Sequence, residues 1–135
     1  MTSNLESLDT NILLRIILND IPEQRSKALT LLCKPNTIFY VDDHAISEVV
    51  FILEKQCRYC RNFIVDILPK AIFSVPNIQS DKHLLSQILP FYLHHPKLSW
   101  NDCYLAAKAA KKQAEPLWTF DHKFALQSPT AKLVN

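Results

Sequence analysis

The sequence predicts an α/β fold, a mostly parallel sheet of four or five short strands flanked by helices. Three observations predict it. Short β-branched and aromatic runs alternate with longer stretches of helical period, and the two kinds follow one another along the chain. Strand-helix-strand order is how a parallel sheet is connected. Finally, 135 residues with 48 % hydrophobic and 21 % charged side chains suit one hydrophobic core, hence a single domain over residues 1–135.

The elements are expected in this order. A strand ends at Leu8, and Asp9-Thr10-Asn11 leads into an apolar helical segment, Ile12 to Leu18. Asn19-Asp20-Ile21-Pro22 breaks that segment, and Pro22 suits the first turn of a second helix, Glu23 to Leu32. Thr37 to Val41 is β-branched and aromatic, a second strand. Helices follow from about Asp43 to Lys55 and from Arg58 to Leu68, then a third strand from Ala71 to Val75. Asp81 to Tyr92 reads as helical, with Pro90 and Pro96 bracketing a loop that carries His94 and His95. Ser99 opens a long helix to roughly Gln113, Leu117 to Thr119 is a fourth strand, and Asp121 to Phe124 a turn. A last strand falls near Ala131 to Val134.

Composition excludes whole classes of function. The chain has no glycine, where a usage of about 7 % would give roughly nine. Phosphate-cradling loops, dinucleotide folds and nucleophile elbows all need glycine for close backbone approach or a tight turn. A net charge of +2 is too mild to demand nucleic acid, yet it allows a locally basic face. The segment from Met1 to Asp9 is polar and lacks a signal-peptide pattern, and no apolar run nears the ~20 residues of a membrane span. A soluble cytoplasmic protein with Cys33, Cys57, Cys60 and Cys103 as reduced thiols is the expectation.

Four acids are expected where a parallel α/β fold places its chemistry, beyond the carboxyl ends of strands: Asp9, Glu48, Asp102 and Asp121. Each aspartate also has a capping reading. Asp9 precedes a helix, Asp102 completes the capping-box-like Ser99-Trp100-Asn101-Asp102, and Asp121 precedes a turn. Glu48 is different. Ile46, Val49, Val50 and Leu53 form an apolar stripe and Phe51 and Ile52 flank Glu48, so its helix looks apolar nearly all round. A carboxylate buried there needs a cation, from a metal or an arginine.

The segments around these acids resemble, in order, the motifs of the PIN-domain family. Leu8-Asp9-Thr10-Asn11-Ile12-Leu13-Leu14-Arg15 resembles the opening strand end with its acid, and Ile46-Ser47-Glu48-Val49-Val50-Phe51-Ile52-Leu53 the second motif. Ser99-Trp100-Asn101-Asp102-Cys103-Tyr104-Leu105-Ala106-Ala107 resembles the third, and Leu117-Trp118-Thr119-Phe120-Asp121-His122-Lys123-Phe124 the fourth. Within the family, the small VapC-like toxin ribonucleases are the nearest group. One departure is Gln113-Ala114-Glu115-Pro116, where PIN sequences often carry a glycine before the fourth strand.

The resemblance implies a metal-dependent endoribonuclease, with Asp9, Glu48, Asp102 and Asp121 as catalytic residues and ligands of one Mg²⁺ or Mn²⁺. It also implies an RNA substrate, a cognate antitoxin protein and a homodimer. Such ions take oxygen ligands and are typically held by one or two carboxylates plus substrate phosphate. Thr10, Asn11 and Thr119 are placed to position acids or waters. Arg15, Lys108, Lys111, Lys112 and Lys123 are candidates for holding phosphates, or belong to solvated faces. Asp42 and Asp43 are rival acids whose expected role is capping the Glu48 helix.

Other features have simpler readings. Cys57-Arg58-Tyr59-Cys60 lacks a partner pair at zinc-site spacing, and His94-His95 reads as polar surface. Trp100 and Trp118 read as packing residues, with base stacking open to an exposed indole. The segment Ile12, Leu13, Leu14, Ile16, Ile17 and Leu18 is more apolar than one buried face requires, so with Leu29 and Leu32 it either outlines a groove or packs both helices on the sheet and on each other; the resemblance implies that such a groove receives an antitoxin segment. Two alternatives stand beside the toxin: a non-enzymatic interaction module on the same fold, whose acids only cap helices, and a PIN-type RNA-processing nuclease without an antitoxin.

Overall fold

A computed structural model describes residues 3–135. The chain divides into two compact units, one running to Asp81 and the other from Lys82 to Asn135.

The first unit is built on a three-stranded parallel sheet in the order β1 (Asn4–Ser7), β2 (Thr37–Tyr40), β3 (Ile78–Gln79). Helices α1 (Thr10–Leu18) and α2 (Pro22–Leu32) connect β1 to β2. Between β2 and β3 run α3 (Asp43–Phe51), a π-helical turn Ile52–Gln56, α4 (Arg61–Leu68) and a second π-helical turn Pro69–Phe73. Asn4 pairs with Thr37 and Ser7 with Tyr40, and the ladder extends one step further as Leu8 N–H donates to the Tyr40 carbonyl at 3.0 Å. Asp9 and Asp42 therefore follow neighbouring strand ends on the same edge of the sheet.

Apolar patterning explains the core. Leu13, Ile46, Val49, Val50, Leu53, Ile64 and Leu68 have no exposed surface, and Phe39, Ile72 and Ile78 have almost none. Helix α3 buries Ala45, Ile46, Val49 and Val50, while Phe51 is 57 % exposed. The helix is thus one-sided rather than apolar all round, and Glu48 lies on its open face. Asp42 caps α3: its Oδ2 accepts from His44 N–H at 2.9 Å and its Oδ1 from the Tyr40 hydroxyl at 3.1 Å. The Asn77 amide closes the far end of α2, donating to the Leu32 carbonyl at 2.7 Å.

The second unit contains α5 (Lys82–His94), α6 (Trp100–Lys111), β4 (Leu117–Thr119), α7 (His122–Gln127) and β5 (Ala131–Leu133), with β4 and β5 paired in parallel. Tyr92 of α5 meets Trp100 of α6 edge-on, ring centroids 5.2 Å apart, and both are buried. All strand pairings are parallel, as the sequence predicts, distributed as three strands and two.

Three expected elements differ. Ala71 to Val75 is not a strand; Pro69–Phe73 continues α4 as a π-helical turn, and the third strand is Ile78–Gln79. Pro69 fits that turn because it adopts helical φ without strain. Pro90 lies inside α5 instead of ending it, so His94 is helical and His95 packs on Phe91 at 4.3 Å while its Nδ1 contacts the Phe91 carbonyl at 2.9 Å. Beyond Asp121 the chain forms a short helix rather than a turn. All four cysteines carry free thiols.

A chain without glycine must place other residues in the left-handed region. Asn19, Asn36, Arg58 and Gln113 have φ of 51°, 54°, 59° and 55°. Asparagine tolerates this region; arginine and glutamine pay a steric penalty. At Gln113 the geometry is a Schellman ending to α6, with Ala114 N–H donating to Ala109 O at 2.8 Å and Gln113 N–H to Ala110 O at 3.1 Å. The usual occupant of that position is glycine. Gln113→Gly is therefore expected to stabilise the protein by about 0.5–1 kcal/mol, relief of left-handed strain outweighing glycine's larger entropy loss. Thermal denaturation should show a rise of about 2–4 °C, and Gln113→Ala should show none.

The bond to Asp42, with the nearby charges of Asp42, Asp43 and Asp81, raises the Tyr40 hydroxyl pKa above the ordinary value of 10.0. A raised folded-state pKa means the protonated form is favoured by folding. The resulting stability is present below pH ~10 and is lost as pH climbs through the folded value. Absorbance titration should find a late-ionising tyrosine that disappears in Tyr40→Phe and shifts down in Asp42→Asn.

Candidate active site

The site is assembled from the ends of parallel strands. Asp9 follows β1 in extended conformation and caps α1, its Oδ1 accepting from Thr10 N–H at 2.7 Å. Its side chain is exposed. The next residue turns inward: Thr10 is 6 % exposed, and its hydroxyl donates to Glu48 Oε2 at 2.9 Å. Glu48 Oε1 lies 2.7 Å from His44 Nε2, one turn earlier on α3. Asp9, Thr10, Glu48 and His44 thus form a continuous polar chain from the end of β1 to the open face of α3.

Two expectations about this cluster change. Glu48 is not buried; its side chain is 48 % exposed, and its partners are a threonine and a histidine rather than an arginine. His44 escaped the sequence analysis, although its i, i+4 spacing to Glu48 on a helix was the available signal. Thr10 does position an acid, as the sequence suggested. Asp42 is occupied as a cap on both oxygens, which leaves Asp9 as the acid turned toward Glu48's partner.

The other two acids belong to the second unit. Asp102 completes a capping box at the start of α6, donating its N–H to Ser99 Oγ at 3.1 Å and accepting Ser99 N–H on Oδ2 at 3.3 Å. Asp121, exposed, caps α7 through Oδ1 and Phe124 N–H at 3.1 Å, while its own N–H donates to Thr119 Oγ1 at 2.9 Å. The capping readings of all three aspartates hold in the structure, and Thr119 orients Asp121. Among the described residues no group of three or more His, Cys, Asp or Glu side chains gathers as a ready-made metal site.

The donor set nevertheless suits a hard cation. Asp9 accepts from the Thr10 backbone N–H and Glu48 from the Thr10 hydroxyl, so both offer carboxylate oxygens without a soft ligand, and hydrated Mg²⁺ is commonly held by one or two carboxylates with substrate phosphate supplying the rest. Of the basic residues, Arg15 is engaged with Asp20 at 3.1 Å and is 17 % exposed, so it is held within the α1–α2 turn rather than extended toward solvent. Lys112 and Lys123 are exposed.

Beside this cluster, α1 and α2 enclose a cavity of about 290 Å³ lined by Asn11, Ile12, Arg15, Gln24, Lys27, Ala28 and Leu31. On α1, Leu13 and Leu14 are buried, whereas Ile12, Ile16, Ile17 and Leu18 are half-buried. Of the residues expected to outline a groove, only Ile12 lines this cavity. Its α2 wall is Ala28 and Leu31 rather than Leu29 and Leu32.

No helix among the described residues is long and apolar enough to cross a membrane. No curated protein matches the chain. The family model for the PIN domain matches residues 7–127, taking in all four acids and the elements that carry them. PIN domains are generally nucleases, and divalent metals are their usual cofactors. With its parallel strands and acids at their carboxyl ends, the chain belongs to the PIN-domain family.

Proposed function

We propose that the protein is a metal-dependent endoribonuclease, the toxin of a toxin–antitoxin pair, acting on RNA with Mg²⁺ or Mn²⁺. The observation that carries this reading is the Asp9–Thr10–Glu48 link, which pairs an acid at the end of a parallel strand with an acid on α3. Asp9 and Glu48 are the proposed ligands of the first unit, and Asp102 and Asp121 are the proposed catalytic acids of the second. Like charges resist approach until a cation neutralises them, so ligand gathering and metal binding are one event.

The residues have distinct tasks. Asp9, its Oδ1 held by its own helix, presents a fixed carboxylate. Thr10 holds one Glu48 oxygen and His44 the other, which sets the plane of the carboxyl group. The bound ion would polarise the scissile phosphate and acidify the attacking water. Exposed lysines, Lys112 and Lys123 among them, hold flanking phosphates.

That three of the acids also cap helices favours, as a second reading, an interaction module whose acids are purely structural. Asp9→Asn separates the two, because asparagine caps a helix about as well as aspartate but lacks the charge. RNA cleavage by the purified protein should be abolished by Asp9→Asn with little change in thermal stability. Cleavage should also stop on chelation and return with Mg²⁺ or Mn²⁺ in the unsubstituted protein only. Persistent cleavage in Asp9→Asn would remove the mechanism.

The α1–α2 cavity, apolar with a basic and amide rim, supports an antitoxin segment as occupant, entering as an amphipathic element. The assembly is proposed to be a homodimer. Expression of the chain alone should arrest growth, and co-expression of its neighbouring small open reading frame should relieve the arrest and co-purify. A harmless chain with intact acids would leave a PIN-type RNA-processing nuclease in place of the toxin.

A further inference from the structure

The two tryptophans have opposite environments. Trp100 is 4 % exposed and packs against Tyr92, whereas Trp118 on β4 is 61 % exposed and Phe120, two residues on, is 78 % exposed. Alternation along β4 and β5 defines the face that carries Trp118, and Phe120 lies in the bend just past the end of β4. Trp118 lies in register with Lys132 on β5, and both are exposed, while the flanking pair Leu117–Ala131 is half-buried and buried. The opposite face thus supplies the local core, with Ala131 and Phe124 inside. Two large aromatic rings left in water are costly to keep, at roughly 25 cal/mol per Å² of apolar surface.

The surroundings indicate what such a face fits. The stretch from Leu117 to Asn135 carries Lys123 and Lys132 against a single carboxylate, Asp121, which directly follows Phe120. Exposed aromatic rings beside lysines are how proteins hold single strands: rings stack on bases and cations meet the backbone. A duplex hides its base faces in the stack and offers the rings nothing. With one residue between them, Trp118 and Phe120 have Cα atoms no more than about 7 Å apart, so one bound strand can reach both rings.

We propose that Trp118 and Phe120, with Lys132 beside them, form a stacking platform for unpaired bases of the RNA that is cut, next to Asp121. This rests on the ribonuclease reading and adds to it the residues that would contact the bases.

The test uses the full chain in excess chelator, so that binding is read without cleavage, and a 12-nucleotide oligouridylate or oligoadenylate as probe. In a Trp100→Phe background Trp118 is the sole indole. Its emission should be quenched saturably by the single strand and far less by a duplex of equal length. Independently of that variant, fluorescence anisotropy of the labelled single strand should show binding weakened about 5- to 150-fold by Trp118→Ala or by Phe120→Ala, the range for loss of one stacked base. Trp118→Phe should retain more affinity than Trp118→Ala, and Lys132→Gln should flatten the salt dependence.

Unchanged affinity in both alanine variants overturns the proposal, as does equal quenching by the duplex. Concentration-dependent self-association that Trp118→Ala abolishes, with no effect on oligonucleotide binding, also overturns it and makes this face an interface between copies. Failure of the nuclease reading looks different: stacking and quenching persist, but no cleavage appears when Mg²⁺ or Mn²⁺ is restored.

Discussion

The hydrogen bond from the Thr10 hydroxyl to Glu48 is the constraint on which the candidate site depends. A hydroxyl buried to 6 % exposure must find a partner, and this one finds it 38 residues along the chain. The bond fixes the entry of α1 against α3 and, through it, the separation of Asp9 from Glu48. It also explains why Glu48 remains on an exposed face of an otherwise apolar helix. An outward carboxylate receiving Thr10 on one oxygen and His44 on the other is held at both oxygens without the desolvation that burial would impose, and each oxygen keeps acceptor capacity.

Capping by these acids leaves room for the proposed ligation. In a parallel α/β fold the strand end and the next helix start are one place, so a residue that follows a strand is also at the positive end of a helix. Asp9 illustrates this, with extended backbone and one oxygen engaged by the first helical amide. The cap holds the carboxylate by one oxygen and orients it, which is what a ligand needs before any ion arrives. Asp102 and Asp121 are held in the same way, each by backbone amides of its own helix start.

What could be read from the sequence was local chemistry. Asp9, Asp42, Ser99 with Asp102, and Asp121 announce helix starts by residue type alone, and each is found capping. The parallel arrangement followed from element order, and strands β1, β2, β4 and β5 lie close to where they were expected, although only β2 is a β-branched and aromatic run. The failures came where tertiary pairing outweighed local preference. Ala71 to Val75 has a strand's composition but completes α4, whereas Ile78–Gln79 is too short to show a pattern and is a strand because Phe39 and Tyr40 pair with it. Glu48's exposure was missed because Phe51 was counted among the buried residues, although it is 57 % exposed. Trp118 and Trp100 are the same residue type beside similar motifs, and only packing separates them.

The absence of glycine bears on how this chain can hold a phosphate. Backbone nests that grip anions need successive amides turned inward through a left-handed residue, which glycine supplies without strain. Here the left-handed positions are Asn19, Asn36, Arg58 and Gln113, and Asn19 and Gln113 are spent on ending α1 and α6. A phosphodiester must then be met by side chains: carboxylates acting through a cation, lysines acting through charge, and aromatic rings acting on the bases. The exposed acids, Lys112, Lys123 and Lys132, and the bare faces of Trp118 and Phe120 are those three kinds of group. Under the proposed function, the chain would meet a phosphodiester chiefly through side chains of these kinds, which it leaves on its surface.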